Sequence, residues 1–307
     1  MPIAEKHCPT VVHFVRKLPG GSQPVLIQAD DGLLYAVKFA NNLQGPNLLF
    51  NESMGTELYR SCGLPVPAWK PLQITSNFLD RHPYAWIETE NGLKKPSAGL
   101  CFGSQYIGAA GTRALEILPA ALFGRIGNRM DFWLAWLVDV CASHTDNRQA
   151  IFVEESDGNL QLYFIDHGHL FGGAAGGGKA HFIAPRYLDS RIYPGVSSRR
   201  LRALVKKLVS VDRKAIRKRL SVIPSEWKTP SALDGLDECL QCLADNAFLE
   251  NLSHAMAQSL IRSGEDGGFT KRSAYIPRTV LRAGIPPTSA ISNFAKQRAH
   301  HFACGQG

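Results

Sequence analysis

Apolar and polar residues alternate with a period of two through much of the first hundred positions, and fall at helical spacing through much of the rest. TVVHFVRK at 10–17, PVLIQA at 24–29 and LLYAVKFA at 33–40 predict three strands. PGGSQ at 19–23 is the turn between the first two, and Asp30-Asp31-Gly32 makes a tight hairpin of the second and third. Asn47 to Cys62 predicts a helix, with Gly63 as its stop signal and Pro65 at the expected distance beyond. AWKPLQIT at 68–75 and YAWIE at 84–88 predict further strands. From about Ala110 the character becomes helical. Arg129 to Ala142 is apolar almost all round, the mark of a helix buried in a core. Asp157-Gly158 predicts a hairpin between two strand-like runs. Leu201, Leu204, Val205, Leu208 and Val209 form one face of an amphipathic helix, and Leu233 to Ser263 predicts one or two more helices. GGAAGGGKA at 172–180 is too rich in glycine to be regular. The predicted organisation is α+β: a β-rich unit over 1–108, a helical unit over 109–263 and a polar, basic, flexible tail over 264–307.

Composition narrows the class. Of 307 residues, 45% are hydrophobic and 20% charged, ordinary for a soluble globule. The start of the chain has neither a basic segment nor an apolar one of signal-peptide type. The most apolar helix is too short to span a bilayer and holds Asp131 and Asp139. The expectation is a cytoplasmic protein with no membrane association. Seven scattered cysteines make a disulfide framework improbable in a reducing cell, and Cys239 and Cys242 read as helix packing. Net charge is +8, and residues 199–219 hold ten Lys or Arg against Asp212 alone. Nucleic-acid binding is possible for that stretch, but without interleaved aromatics a solvated basic face is the favoured reading.

Four charged residues carry the candidate chemistry. Along the third strand, Val37 and Phe39 face one way, and Ala36, Lys38 and Ala40 the other, so Lys38 projects beside small neighbours that leave room for a ligand. On the following helix Leu48, Glu52, Gly55, Tyr59 and Cys62 form one stripe. A carboxylate on that face is costly unless paired, and Lys38 is the nearest cation by topology. Glu57 reads as a solvated charge. The turn residues Gly20, Gly21, Ser22 and Gln23 have backbone N–H groups of the kind that cover phosphates. Folding the Asp157-Gly158 hairpin brings the loop holding Asp146 close to the loop holding Asp166. Two carboxylates at one end of a hairpin suit metal-assisted chemistry on a phosphate, with Asp146 as base or hydroxyl-orienter and Asp166 and Gln149 as oxygen donors to Mg²⁺.

The order Lys38, Glu52, Asp146, Asp166 resembles a two-lobed protein-kinase-like fold, and more narrowly the HipA-like kinase family. YAVKFANNLQGPNLLFNE is similar to that family's lysine strand and its approach to the helix glutamate. LCFGSQYIG is similar to its segment leading into the helical lobe, and TDNRQAIF and FIDHG to its catalytic loop and metal-binding segment. The resemblance runs from roughly Val11 to Ser263. It implies an ATP- and Mg²⁺-dependent phosphotransferase acting on a protein Ser or Thr hydroxyl. Lys38 would contact phosphate, Glu52 would pair with it, Asp146 would be the catalytic aspartate and Asp166 the magnesium ligand.

The chain departs from the pattern in three places. Many kinase-like enzymes have Asn five residues after the catalytic Asp; here that position is Ile151, and Gln149 is the nearest amide. His167 stands where many kinases have Phe. Family toxins carry an extra domain before the kinase core, for which Lys38 lies too close to Met1, so pairing with a DNA-binding antitoxin is not carried over. A small-molecule or lipid kinase of the same fold, a nucleotide-binding pseudokinase serving as an interaction module and a basic RNA-binding protein are the alternatives.

Overall fold

A computed structural model describes residues 8–108, 113–177 and 187–265, with side chains described only as far as residue 260. Beyond its first two residues, the stretch expected to be a flexible tail lies outside the described residues. In chain order the elements are β1 (Val11–Lys17), β2 (Val25–Ala29), β3 (Leu34–Lys38), α1 (Leu48–Ser61), β4 (Trp69–Ile74), α2 (Ser76–Arg81), β5 (Ile87–Thr89), β6 (Gly92–Lys94), β7 (Gly99–Gln105) and β8 (Ala114–Leu115). There follow α3 (Asp131–Cys141), β9 (Gln149–Glu154), β10 (Leu160–Ile165), α4 (Ser198–Val209), α5 (Arg213–Lys218), α6 (Pro230–Ala244) and α7 (Asn246–Glu265). The fold class is α+β, sheet-rich at its amino-terminal end and helical at its carboxy-terminal end.

The N-terminal sheet has the order β1-β2-β3-β7-β4, antiparallel throughout. Its β2–β3 hairpin turns where the residues demand it. Gly32 has φ +79, and the Leu33 N–H donates to Asp31 Oδ1 at 3.1 Å. One face buries Ile27, Tyr35, Val37, Leu72 and Ile74 beneath Phe78 and Leu79 of α2. Lys38 points to the other face, on which α1 packs. The run YAWIE is strand only from Ile87; Pro83–Ala85 forms a 3₁₀ turn, because Pro83 cannot donate to a ladder but fits the first turn of a helix. Strand β7, which periodicity did not reveal, bridges β3 and β4.

The main core joins α1 to the helical half: Met54, Leu58 and Tyr59 share a cluster with Phe132, Trp136, Phe164 and the inner faces of α4, α6 and α7. α1 ends as expected on Gly63, with φ +72 and the Leu64 N–H reaching back to Tyr59 O at 2.9 Å. Cys239 and Cys242 are buried packing residues of α6, and the Cys242 thiol meets that of Cys141 on α3 at 2.9 Å. Glu57, expected to be solvated, is buried. α1 turns this side toward the sheet, and the carboxylate takes hydrogen bonds from Trp69 Nε1 at 2.8 Å and Arg60 Nη1 at 2.5 Å, with Arg219 Nε 3.4 Å away.

A second carboxylate is still deeper. Asp139 of α3 is 0% exposed and receives Arg148 through Nη2 at 2.5 Å and Nε at 3.1 Å, with the Tyr59 hydroxyl at 2.6 Å. Arg148 is 2% exposed, and its guanidinium stacks 4.8 Å from the Tyr59 ring centre. Burial alone would push the Asp139 carboxyl up; the Arg148 charge and hydrogen bonds outweigh it and hold the group below its ordinary value. Such a contribution is complete above the unfolded value near pH 4 and is lost as pH falls. We predict that Asp139→Asn costs about 3–5 kcal/mol in urea unfolding at pH 7, by stranding a buried guanidinium. The difference between variant and wild type should narrow below about pH 4. A cost below about 1 kcal/mol would contradict the assignment.

Candidate active site

Lys38 ends β3, which places its side chain over the amino-terminal half of α1. Its Nζ lies 2.5 Å from Glu52 Oε1 and 2.9 Å from Asp166 Oδ1. Lys38 is 8% exposed and Glu52 2%, so one ammonium sits between two acids in a largely dry setting. Burial opposes charge on Lys38, but Asp166 and Glu52 raise its pKa above that of a free lysine. Burial also opposes charge on Asp166, yet Lys38 holds that carboxyl below its usual range. Glu52 moves the opposite way: burial and the neighbouring Asp166 charge raise it by more than Lys38 offsets.

The β9–β10 hairpin delivers Asp166. Gly158 closes it with φ +82, and the register pairs Ile165 with Gln149. Asp166 follows directly, with φ +58, a left-handed conformation that Asp tolerates better than most residues. Gln149 Nε2 donates to Asp166 Oδ2 at 2.9 Å. Arg148 Nη1 holds the neighbouring carbonyls, Ile165 O at 3.0 Å and Asp166 O at 3.1 Å. Asp166 is thus fixed by side chain and by backbone.

The loop holding Asp146 is stitched to the chain beyond Asp166. The N–H groups of Thr145, Phe171 and Gly172 donate to His169 O, Ala142 O and Ser143 O. Asp146 itself is exposed, and its Oδ1 accepts the Asn147 N–H at 2.7 Å. Of the two acids expected to face Lys38 from the helical half, Asp166 touches it, whereas Asp146 stands on the solvent side of the hairpin end. In the β1–β2 turn Gly20 has φ +131 and Ser22 is buried, its carbonyl taking the Asn42 amide at 2.6 Å. Beside Gly21 lies the Gln44 side chain. The Gln23 N–H closes the turn on Gly20 O at 2.9 Å, and its side-chain amide is bonded both ways to the Glu88 backbone.

α1 is clamped to the Asp166 segment by residues that sequence reasoning passed over. Asn47 is fully buried: its N–H donates to Ala174 O at 2.9 Å, and its side chain pairs with Thr229 Oγ1 at 2.5 Å and Ser231 Oγ at 3.0 Å. One turn on, Asn51 Nδ2 donates to Gly168 O at 2.9 Å and Leu170 O at 2.8 Å. Glu52 Oε2 accepts the His167 N–H at 3.1 Å. The available signal was polar spacing, since Asn47, Asn51, Gly55 and Tyr59 recur every fourth position on one face.

No family model matches this chain, and no curated protein matches it. Among solved structures the chain is similar to a Golgi casein kinase (TM-score 0.48, 12% identity, covering 82% of this chain and 75% of that one). It is similar to the Fam20 protein of hydra, solved with a sugar (TM-score 0.46, 11% identity, covering 84% and 88%). It is also similar to the Helicobacter pylori proinflammatory kinase CtkA (TM-score 0.43, 12% identity, covering 81% and 99%).

Gly55 is where α1 comes nearest to the Asp166 segment. A Cβ there would stand 2.6 Å from His167 Cβ and from Leu170 Cδ1. We predict that Gly55→Ala lowers stability by about 1–3 kcal/mol in urea unfolding. Gly124→Ala, whose Cβ would meet nothing within 4 Å, is the control and should be near neutral. Equal stability of the two variants would show that the contact is not tight.

Proposed function

We propose that this chain is an ATP- and Mg²⁺-dependent phosphotransferase of the HipA-like kinase type, transferring the γ-phosphoryl group to a Ser or Thr hydroxyl of a protein. The observation that carries the reading is the contact of Lys38 Nζ with both Glu52 and Asp166, at 2.5 and 2.9 Å. A lysine on the third strand, paired with a glutamate on the next helix and facing an aspartate after a hairpin, is the arrangement that holds a nucleotide's phosphates beside a metal. Lys38 binds α- and β-phosphate oxygens, and Glu52 fixes the direction of its ammonium. The β1–β2 turn, Gly20 to Gln23, covers the phosphates from above. Asp146, exposed at the end of the hairpin, orients the acceptor hydroxyl and takes its proton as the P–O bond forms.

The donor set fits a hard cation brought in with a phosphate. Among the described residues no group of three or more His, Cys, Asp or Glu side chains gathers as a self-sufficient cage. Asp166 offers the single carboxylate that Mg²⁺ takes when phosphate and water fill its other positions, whereas Gln149, whose Nε2 donates to Asp166 Oδ2, would have to turn its amide oxygen round to join it. When bound, Mg²⁺ supplies charge neutralisation on the transferring phosphate. Among the described residues no helix is long and apolar enough to cross a membrane, and the six described cysteines are free thiols.

Lys38→Met should weaken binding of a non-hydrolysable ATP analogue at least about tenfold by calorimetry, one charge-assisted contact being worth about 1.5–3 kcal/mol. Asp146→Asn, at an exposed position, should leave that affinity intact while lowering phosphotransfer about 10²–10⁴-fold. Unchanged affinity in the first variant would remove Lys38 from the site. Negligible turnover in both wild type and Asp146→Asn, with binding retained, would favour a nucleotide-binding pseudokinase.

A further inference from the structure

The net charge of this protein is concentrated in one stretch. Residues 199–219 carry ten Lys or Arg against Asp212, a net +9 that exceeds the +8 of the whole chain. α4 and α5 turn their apolar side inward, burying Leu201, Val205, Leu208 and Ile216. Nine of the ten cations are exposed, Arg213 being half-buried.

Four of the ten are used within the fold. Arg217 pairs with Asp237, Arg219 with Glu57, Arg213 donates to Val209 O, and Lys207 lies over Gly63 at the end of α1. The other six, Arg199, Arg200, Arg202, Lys206, Lys214 and Lys218, make no ion pair among the described residues. Beyond the described side chains the only acids in the chain are Glu5, Glu265 and Asp266.

This placement costs the free protein stability. Arg199 and Arg200 stand in the first turn of α4, which holds no acid, at the positive end of the helix dipole. Arg202 and Lys206 repel at i,i+4, as do Lys214 and Lys218. A solvated face tuned only for solubility intersperses both signs. Six uncompensated cations, some of them where they weaken their own helix, are relieved by a polyanion.

The surface also selects the kind of polyanion. None of the large exposed apolar side chains lies within 199–219, and the stretch has no aromatic residue. A protein partner would want an apolar or aromatic anchor and a single strand would want stacking platforms; an anionic bilayer surface attracts basic clusters without insertion, so vesicles form one arm of the test below. A duplex phosphate backbone needs neither anchor nor platform, because counterion release carries its affinity. Arg199, Arg202 and Lys206 recur at i, i+3 and i+7 on one stripe of α4, spanning about 10 Å at 1.5 Å per residue. We propose that the basic face of α4, continued by Lys214 and Lys218 of α5, binds the phosphate backbone of a nucleic-acid duplex without reading its sequence.

The test is fluorescence anisotropy of the full chain with 20-bp duplexes of DNA and of RNA across a salt series. Polyglutamate, a single-stranded oligonucleotide and phosphatidylserine vesicles serve as competing ligands. Contact with about six phosphates predicts a roughly 10³-fold fall in affinity between 50 and 200 mM salt. The triple variant Arg199→Glu, Arg202→Glu, Lys206→Glu should abolish most duplex binding. The milder Arg199→Gln, Arg202→Gln, Lys206→Gln should lower the log–log salt slope by about three, one per cation removed. Both variants should melt no lower than wild type and keep nucleotide binding, because they relieve repulsion away from Lys38 and Asp166. Absence of duplex binding, duplex binding unchanged in the Gln variant, or preferential binding of polyglutamate, single strand or vesicles would each overturn the proposal.

Discussion

One buried ammonium between two carboxylates organises this molecule. Lys38 comes from the sheet, Glu52 from the helix that follows it, and Asp166 from a hairpin more than a hundred residues further along. Each group is expensive to bury alone. Together they are tolerable only while all three stay in register, and that requirement ties the amino-terminal sheet to the helical half. The set carries one more negative group than positive. Its physical consequence is visible in the opposite displacement of the two acids, with Asp166 held as a carboxylate and Glu52 raised toward its neutral form.

The rest of the site keeps that register. Asn47 and Asn51 fix α1 on the segment after Asp166, and small residues permit the approach: Gly55 lies against His167 and Leu170, and Gly168 against Leu48 and Glu52. From the other side the Arg148–Asp139 pair holds the Asp166 carbonyl. Two buried ion pairs thus brace one residue, the first through its side chain and the second through its backbone. This arrangement keeps an aspartate with positive φ in a single orientation beside Lys38. The loop of Asp146, bonded along its backbone to residues 169–172, inherits the same reference frame.

Much of this frame was readable in local sequence. The alternation around Lys38 gave its direction, because a strand has only two faces. Asp157-Gly158 marked the hairpin, and Gly63 the end of α1, because both need backbone angles that glycine adopts freely. The cost of an unpaired acid on an apolar stripe pointed from Glu52 to Lys38. What stayed hidden was long-range. Glu57 looked solvated because helical periodicity does not say how many sides of a helix are covered, and α1 is covered by the sheet and by the core. Asp139 and Arg148 stand nine residues apart, but Tyr59, which bonds the first and stacks on the second, comes 80 positions before Asp139. Asn47 is bonded to Thr229 and Ser231, more than 180 positions away, and no periodicity reports such a partner. Strand β7 begins at Gly99 and has Gly103 at its centre, where Leu72 and Tyr35 leave no room for a side chain; its weak alternation follows from that close packing.

The proposed phosphotransfer requires a nucleotide bound against Lys38, Glu52 and Asp166. A crystal structure of the full chain with a non-hydrolysable ATP analogue and Mg²⁺ should show phosphate oxygens within hydrogen-bond distance of Lys38 Nζ and the metal coordinated by Asp166. Glu52 should still be paired with Lys38. A nucleotide bound elsewhere, or a Lys38–Glu52–Asp166 cluster left closed and undisturbed in a crystal saturated with ligand, would contradict it.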